Sequence, residues 1–190
     1  VNNLSSLNFL SVIFFLYLLS NDLNLEFYNF KIELLIISLI IFISFNFFGK
    51  NYLGDGAVYG LSFLIGYMAL NLSILDEKIS PYFIANLLWY PAFENLFSII
   101  RRSFHKKKNY LPDNYHLHQM IYKYLRSKNF IKKNFLLSSI SGILINSYLF
   151  IISLIAYKYY SHSDTLITLL FINMFLYIFV YRSLEGHSKW

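Results

Sequence analysis

Among its 190 residues the chain has no cysteine, only three prolines and seven glycines, and only 14% charged residues. Without cysteine, neither a disulfide nor a thiolate metal site can form. No Pro-rich or Ser-rich linker interrupts the chain and no internal repeat is detectable, so residues 1–190 read as a single domain. A soluble domain carries about a quarter of its residues as charges, so this chain is too poor in them to cover a globular surface. The first apolar stretch has no basic segment before it and no small-residue cleavage site after it, so it does not read as a secretory signal peptide.

What replaces the missing charge is hydrocarbon and aromatic surface: 57% of the residues are apolar and 21% aromatic. They lie in long blocks, at residues 4–19, 32–48, 57–75, 79–100, 135–157 and 166–180. Crossing the bilayer core takes about 20 apolar residues, or roughly 17 in an anchored helix. The first and last blocks are short and need polar flanks that snorkel to the interface. Lipid offers the backbone no hydrogen-bond partners, so each block is expected to be helical. The expected fold is therefore all-α, a polytopic transmembrane bundle of about six helices.

The basic residues orient it. If the six spans alternate, 13 of the 16 Lys and Arg residues fall on one side, and only Lys31, Lys78 and Lys158 on the other. The positive-inside rule makes the richer side cytoplasmic. The formal charge of +6 is then largely a matter of topology, and no nucleic-acid partner is needed to explain it. The one long connection, residues 101–134, belongs to that side and holds His105, His116 and His118, three of the five histidines. Within it, Leu111-Pro112-Asp113-Asn114 reads as a turn with Asp113 or Asn114 capping a following helix. In that helix Leu117, Ile121, Tyr124 and Leu125 make an apolar face, with His116, Gln119 and Lys123 opposite and His118 on the flank. Such a helix is expected to lie at the membrane surface. His162 and His187 have no companions in the sequence and read as solvated.

Two further stretches carry groups capable of chemistry. In "GKNYLGDGAVYGLSFLIGY", residues 49–67, Asp55 stands between Gly54 and Gly56 just ahead of an apolar span. A carboxylate at the membrane edge suits a hard cation such as Mg²⁺, although from local sequence alone a Gly-Asp-Gly turn capping a helix is the more ordinary reading. Gly56 and Gly60 form a GxxxG pair whose expected role is close helix packing. Glu94 lies within the fourth span, where an ionisable group is a functional candidate; a pairing with Arg101 or Arg102 is the structural alternative. His116 and His118, if both helical, diverge by about 200° and cannot share one metal ion, though a single histidine could meet a phosphate or an acid–base partner.

These stretches together resemble one family. "KNYLGDGAVYGLSFLIGY" is similar to its Leu-Gly-Asp motif, "PAFENLFSIIRR" to its Pro-x-x-Asp followed by an Arg pair, and "PDNYHLHQMIYKYL" to its His-Leu-His-His segment. The family is that of the polyprenyl-phosphate N-acetylhexosaminyl-1-phosphate transferases, glycosyltransferase family 4, which includes undecaprenyl-phosphate GlcNAc-1-phosphate transferases. The resemblance implies transfer of a sugar 1-phosphate from a UDP-sugar to a polyprenyl phosphate, with release of UMP. It places that reaction at the cytoplasmic face of a bacterial plasma membrane, in cell-envelope polysaccharide synthesis. It implies Mg²⁺, or Mn²⁺, as cofactor, with Asp55 the essential aspartate and metal ligand. It assigns His116, His118, Arg101, Arg102 and Lys50 to substrate binding, and it leaves a homodimer open.

The chain departs from the family at Gln119, which replaces the last histidine, at Gly56-Ala57 after the aspartate, and at Glu94, where Asp is usual. The family's Asp-Asp pair and Asn-x-x-Asp-Gly motif are not in the sequence. "VNNLSSLNFL" resembles the family's residues immediately after that Asp-Gly, so the expectation is a C-terminal part of a longer enzyme, inactive alone. The alternative expectation is a non-catalytic polytopic protein: a transporter, a lipid-handling subunit or a degenerate family member.

Overall fold

The computed structural model describes residues 3–24, 26–104, 115–128 and 133–185. His105, Lys106, Lys107, Lys108, the turn at 111–114, Lys132, His187 and Lys189 lie outside the described residues. The described residues are helical, with no strand among them: α1 (Leu4–Asp22), α2 (Glu26–Phe47), α3 (Asp55–Leu75), α4 (Pro81–Phe104), α5 (Leu117–Ser127), α6 (Asn134–Lys158) and α7 (Ser163–Glu185).

Six of these match the six apolar blocks, with α2 ending one residue short of its block and α4 beginning two residues into its own. By length and composition α1, α3, α4, α6 and α7 can each cross a membrane, and α2 contributes a shorter apolar stretch, Ile32–Phe47. Their outer faces are apolar as well. Phe63 is 78% exposed, Ile74 77% and Phe175 72%, and similar side chains recur along α2, α3, α6 and α7. Water would penalise so much bare hydrocarbon at about 25 cal/mol per Å², so these faces require lipid. The protein is a polytopic helical membrane bundle.

Polar contacts fix the order of the helices. At one end Asn3 N–H donates to Asn46 Oδ1 (2.7 Å). Ser139 Oγ donates to the Phe47 carbonyl (3.0 Å) and Asn146 Nδ2 to the Leu4 carbonyl (3.0 Å). The start of α1, the end of α2 and the start of α6 therefore share that end. At the opposite end Tyr157 donates its hydroxyl to Asp22 Oδ2 (2.7 Å), and Ser80 Oγ lies 2.8 Å from Ser163 Oγ. There Asn86 Nδ2 also donates to the Leu166 carbonyl (3.0 Å). The helices alternate in direction, with α4 and α7 running parallel side by side. Asp55, at the start of α3, thus falls at the same end as the last turns of α4 and α7.

The core divides in two. Phe15, Leu16, Ile65, Leu72 and Phe83 are central to a cluster joining α1, α2, α3 and α4. Trp89, Tyr90, Leu117, Met120, Ile145 and Tyr177 belong to a second, where α4, α5, α6 and α7 meet. The amphipathic α5 buries Leu117 and Met120 and exposes Lys123 and Arg126. Its apolar face packs on α6 and α7.

The GxxxG pair does not pack against another helix among the described residues: a Cβ built at Gly56 or Gly60 meets no atom within 4 Å. The glycines lie on the outward face of α3, where Tyr59 and Phe63 are exposed.

Candidate functional site at the end of the fourth helix

Glu94 sits inside α4 with only 6% of its surface exposed. A buried carboxylate is costly unless hydrogen-bonded. Its Oε1 accepts the Leu117 N–H at 2.9 Å and lies 3.1 Å from His116 Nδ1. Ser98, one turn further along α4 and also buried, brings its Oγ to 3.2 Å from the same nitrogen. Glu94 therefore pairs with neither Arg101 nor Arg102 through any ion pair among the described residues. The expectation from its spacing is replaced by a contact 22 residues away in sequence.

The start of α5 explains the partners. The helix begins at Leu117, and His116, with extended backbone (φ −69°, ψ 149°), is its N-cap residue. Its own N–H donates to Gln119 Oε1 (3.2 Å). The Leu117 N–H is one of the groups a first turn leaves without an intrahelical partner, and Glu94 reaches across from α4 to accept it. Asp113 and Asn114 lie outside the described residues; the N-cap position is held by His116, and an acceptor for the first turn comes from another helix.

That boundary also overturns the predicted divergence of the histidines. His116 precedes the helix and His118 is within it, so the 100°-per-residue rotation does not apply between them. Their rings are stacked instead, with centroids 5.5 Å apart and planes 6° apart. Burial pushes the His118 imidazole down to about 4, against the opposing pull of the Glu94 charge, so the ring is neutral near pH 7. Its Nδ1 is buried with no hydrogen-bond partner.

Arg101 closes the other side. Its Nη1 donates to the Tyr115 carbonyl (2.7 Å) and to the Tyr181 hydroxyl, and its guanidinium lies 5.5 Å and 5.6 Å from the centroids of those two rings. Arg102 Nε donates to the Ser98 carbonyl (3.3 Å). Below them Phe97, Tyr181, Phe93 and Tyr177 stack edge to face between α4 and α7, with Phe97 and Tyr181 centroids 4.8 Å apart. An apolar cavity of about 250 Å³ is lined by Trp89, Tyr90, Leu117, Tyr148 and Tyr177 among others. Glu94 Oε2, Tyr90 Oη and Tyr177 Oη are buried in this region without a partner that meets hydrogen-bond geometry.

The predicted residues thus divide. His116, His118, Arg101 and Arg102 come together around Glu94 and Ser98. Asp55 opens α3 as its first residue, exposed, with Gly54 as N-cap and no capping bond from its side chain, and Lys50 is exposed in the segment before it. No hydrogen bond or ion pair among the described residues joins Asp55 or Lys50 to the Glu94 group. Nor do three His, Asp or Glu side chains among the described residues meet closely enough there to hold a metal ion. Asp55 alone does not make a cation site. Ser98, Tyr115 and Tyr181 escaped sequence reading because nothing local marks them; Glu94 was legible as an ionisable group in an apolar span, but its partners were not. Compared with family models, with curated proteins and with solved structures, the chain gives no match.

Proposed function

We propose that the chain serves a phospho-sugar transferase, moving a sugar 1-phosphate, an N-acetylhexosamine by preference, from a UDP-sugar to a polyprenyl phosphate at the cytoplasmic face of a bacterial plasma membrane. In this reaction a phosphate oxygen of the lipid attacks the sugar-bearing phosphorus of the donor. The bond to the UMP oxygen breaks, UMP leaves, and a new diphosphate bond links sugar and lipid. In the sequence, the support is the resemblance of three stretches, in order, to glycosyltransferase family 4.

One observation carries the reading. Glu94 with His116 and Leu117, and Arg101 with Tyr115, draw two of those stretches, separated along the chain, into a single polar group. It lies at the bundle end where the third stretch presents Asp55. A membrane-facing helical bundle with histidine and arginine groups at one end suits an anionic soluble donor meeting a lipid acceptor. Arg forks favour phosphate oxygens, and a carboxylate such as Asp55 favours a divalent cation. Asp55 stands apart from other carboxylates, so the described residues do not by themselves complete a Mg²⁺ site.

A second reading has its own support. Arg101, Glu94 and His116 are engaged with the start of α5, which is what a non-catalytic polytopic protein would use simply to dock that helix. The two are separated by assaying UMP release from a UDP-N-acetylhexosamine in membranes carrying the whole gene product. The transferase reading expects Mg²⁺-dependent release that is lost in Asp55→Asn and falls severely in His118→Ala, at unchanged expression. Undiminished release in Asp55→Asn would sink the assignment of that residue. No release by the wild type, and no thermal shift with UDP-sugar and Mg²⁺, would favour the docking reading.

A further inference from the structure

Two groups compete for one nitrogen of His116. Glu94 Oε1 lies 3.1 Å from Nδ1 and can only accept a proton from it while ionised; Ser98 Oγ lies 3.2 Å from the same atom and can accept or donate. The Glu94 oxygen is also committed to the Leu117 N–H, at 2.9 Å, which holds it in place. It lies at the N-terminus of α5, where the helix dipole and the unpaired N–H groups favour negative charge.

We propose that Glu94 is a positioning residue: whenever the His116 ring is uncharged it holds the ring's proton on Nδ1, and by capping α5 it sets that ring in a constant relation to Arg101. Nε2 is then left with its lone pair, an acceptor. The His116 side chain keeps 24% of its surface exposed, while the Glu94 side chain beside it keeps 8%, so a ligand meets the imidazole before the acid. An Nε2 acceptor suits a hydroxyl or N–H of a ligand, such as a sugar or nucleobase donor group, rather than a phosphate oxygen. Anionic groups fall instead to the arginines. This division of labour rests on the transferase reading; the tautomer and the cap do not.

The histidine arrangement supports a fixed rather than a rotating ring. His118 stacks parallel on His116, and turning the His116 ring over would put Cδ2 where Nδ1 is and take Nδ1 away from both Glu94 and Ser98.

The test is the ¹⁵N spectrum of the protein labelled only at histidine, at a pH where His116 is neutral, with its signals identified by loss in His116→Gln. The wild type is expected to show Nδ1 protonated and Nε2 unprotonated. Glu94→Ala frees Ser98 to donate to Nδ1, so the two signals should exchange types; Glu94→Gln, whose amide oxygen still accepts, should restore the wild-type pattern. If Glu94→Ala fails to fold, Ser98→Ala decides: an unchanged pattern supports Glu94, and an exchange assigns the control to Ser98. A wild-type ring protonated on Nε2, or a folded Glu94→Ala with an unaltered spectrum, overturns the proposal.

UMP release is read on the same variants. Glu94→Ala should lose tenfold or more and Glu94→Gln should recover most of it. If the signals exchange as expected while not even the wild type releases UMP, the positioning role stands and the transferase reading falls.

Discussion

The imidazole of His118 lies parallel to that of His116, with ring centroids 5.5 Å apart, and its Nδ1 is buried with no hydrogen-bond partner. Burial pushes this ring down to about 4 from its ordinary 6.5; the Glu94 charge opposes that shift and His116 adds to it. Between those two values undocked α5 binds more protons than docked α5, so docking strengthens as pH rises. It should be fully present above about pH 6.5 and lose about 3 kcal/mol as pH falls to about 4. Hydrogen exchange of the Met120 and Ile121 amides, followed from about pH 7 to about pH 4.5, checks this. His118→Gln, which cannot charge, should flatten the profile; a wild-type profile equally flat would refute the burial argument.

Arg101 ties Tyr115, ahead of α5, to Tyr181 in α7. Removing the guanidinium leaves the Tyr115 carbonyl and the Tyr181 hydroxyl without this donor and takes away a stack on both rings. Arg101→Ala should therefore loosen the start of α5 while leaving the spans intact. Trypsin, given its sites at Lys123 and Arg126 in α5, should cut several times faster than in the wild type. Arg101→Lys, lacking the planar fork, should fall between the two.

Asn86 links α4 to α7 through the Leu166 carbonyl at 3.0 Å, while its other N–H returns to the Tyr82 carbonyl of its own helix at 2.8 Å. Interhelical hydrogen bonds in membranes contribute about 0.6 kcal/mol on average and up to about 1.7. Asn86→Leu keeps the volume and removes the bond, so a loss of about 1 kcal/mol is expected in detergent unfolding. The hydroxyl of Thr168 instead donates within α7, to the Asp164 carbonyl at 2.8 Å. Thr168→Val should therefore leave stability nearly unchanged, and an equal loss there would mean that the Leu166 contact is not the source.

Gly56 and Gly60 face open space, so Ala at either meets nothing, and each removes the backbone freedom glycine adds to a helix. Each substitution should be neutral or stabilising, by up to about 1 kcal/mol. Ala69, on the inner face of the same helix, has no exposed surface. Ala69→Leu should cost about 1–3 kcal/mol by overpacking. Thermal unfolding in micelles distinguishes the faces; a marked loss at Gly56 or Gly60 would mean that another helix packs there.

The fold class and the six apolar helices were legible along the chain, because a run of hydrocarbon side chains and the need to satisfy the backbone in lipid are local properties of each segment. The amphipathic helix that follows the Pro112 turn was legible too, since the 3.6-residue period of Leu117, Ile121, Tyr124 and Leu125 is written in that stretch alone. What those helices do with their polar groups follows from how they pack. The start of α5 depends on Glu94, which reaches it from α4, and that boundary in turn brings His116 and His118 onto one side. The GxxxG spacing of Gly56 and Gly60 is a motif of helix contact, but contact needs a second helix, and none among the described residues is there. Arg101 finds Tyr181 across 80 residues of chain. Hydrogen bonds act over about 3 Å, so which residues share a site is settled by how the spans pack, and no spacing along the sequence can state it.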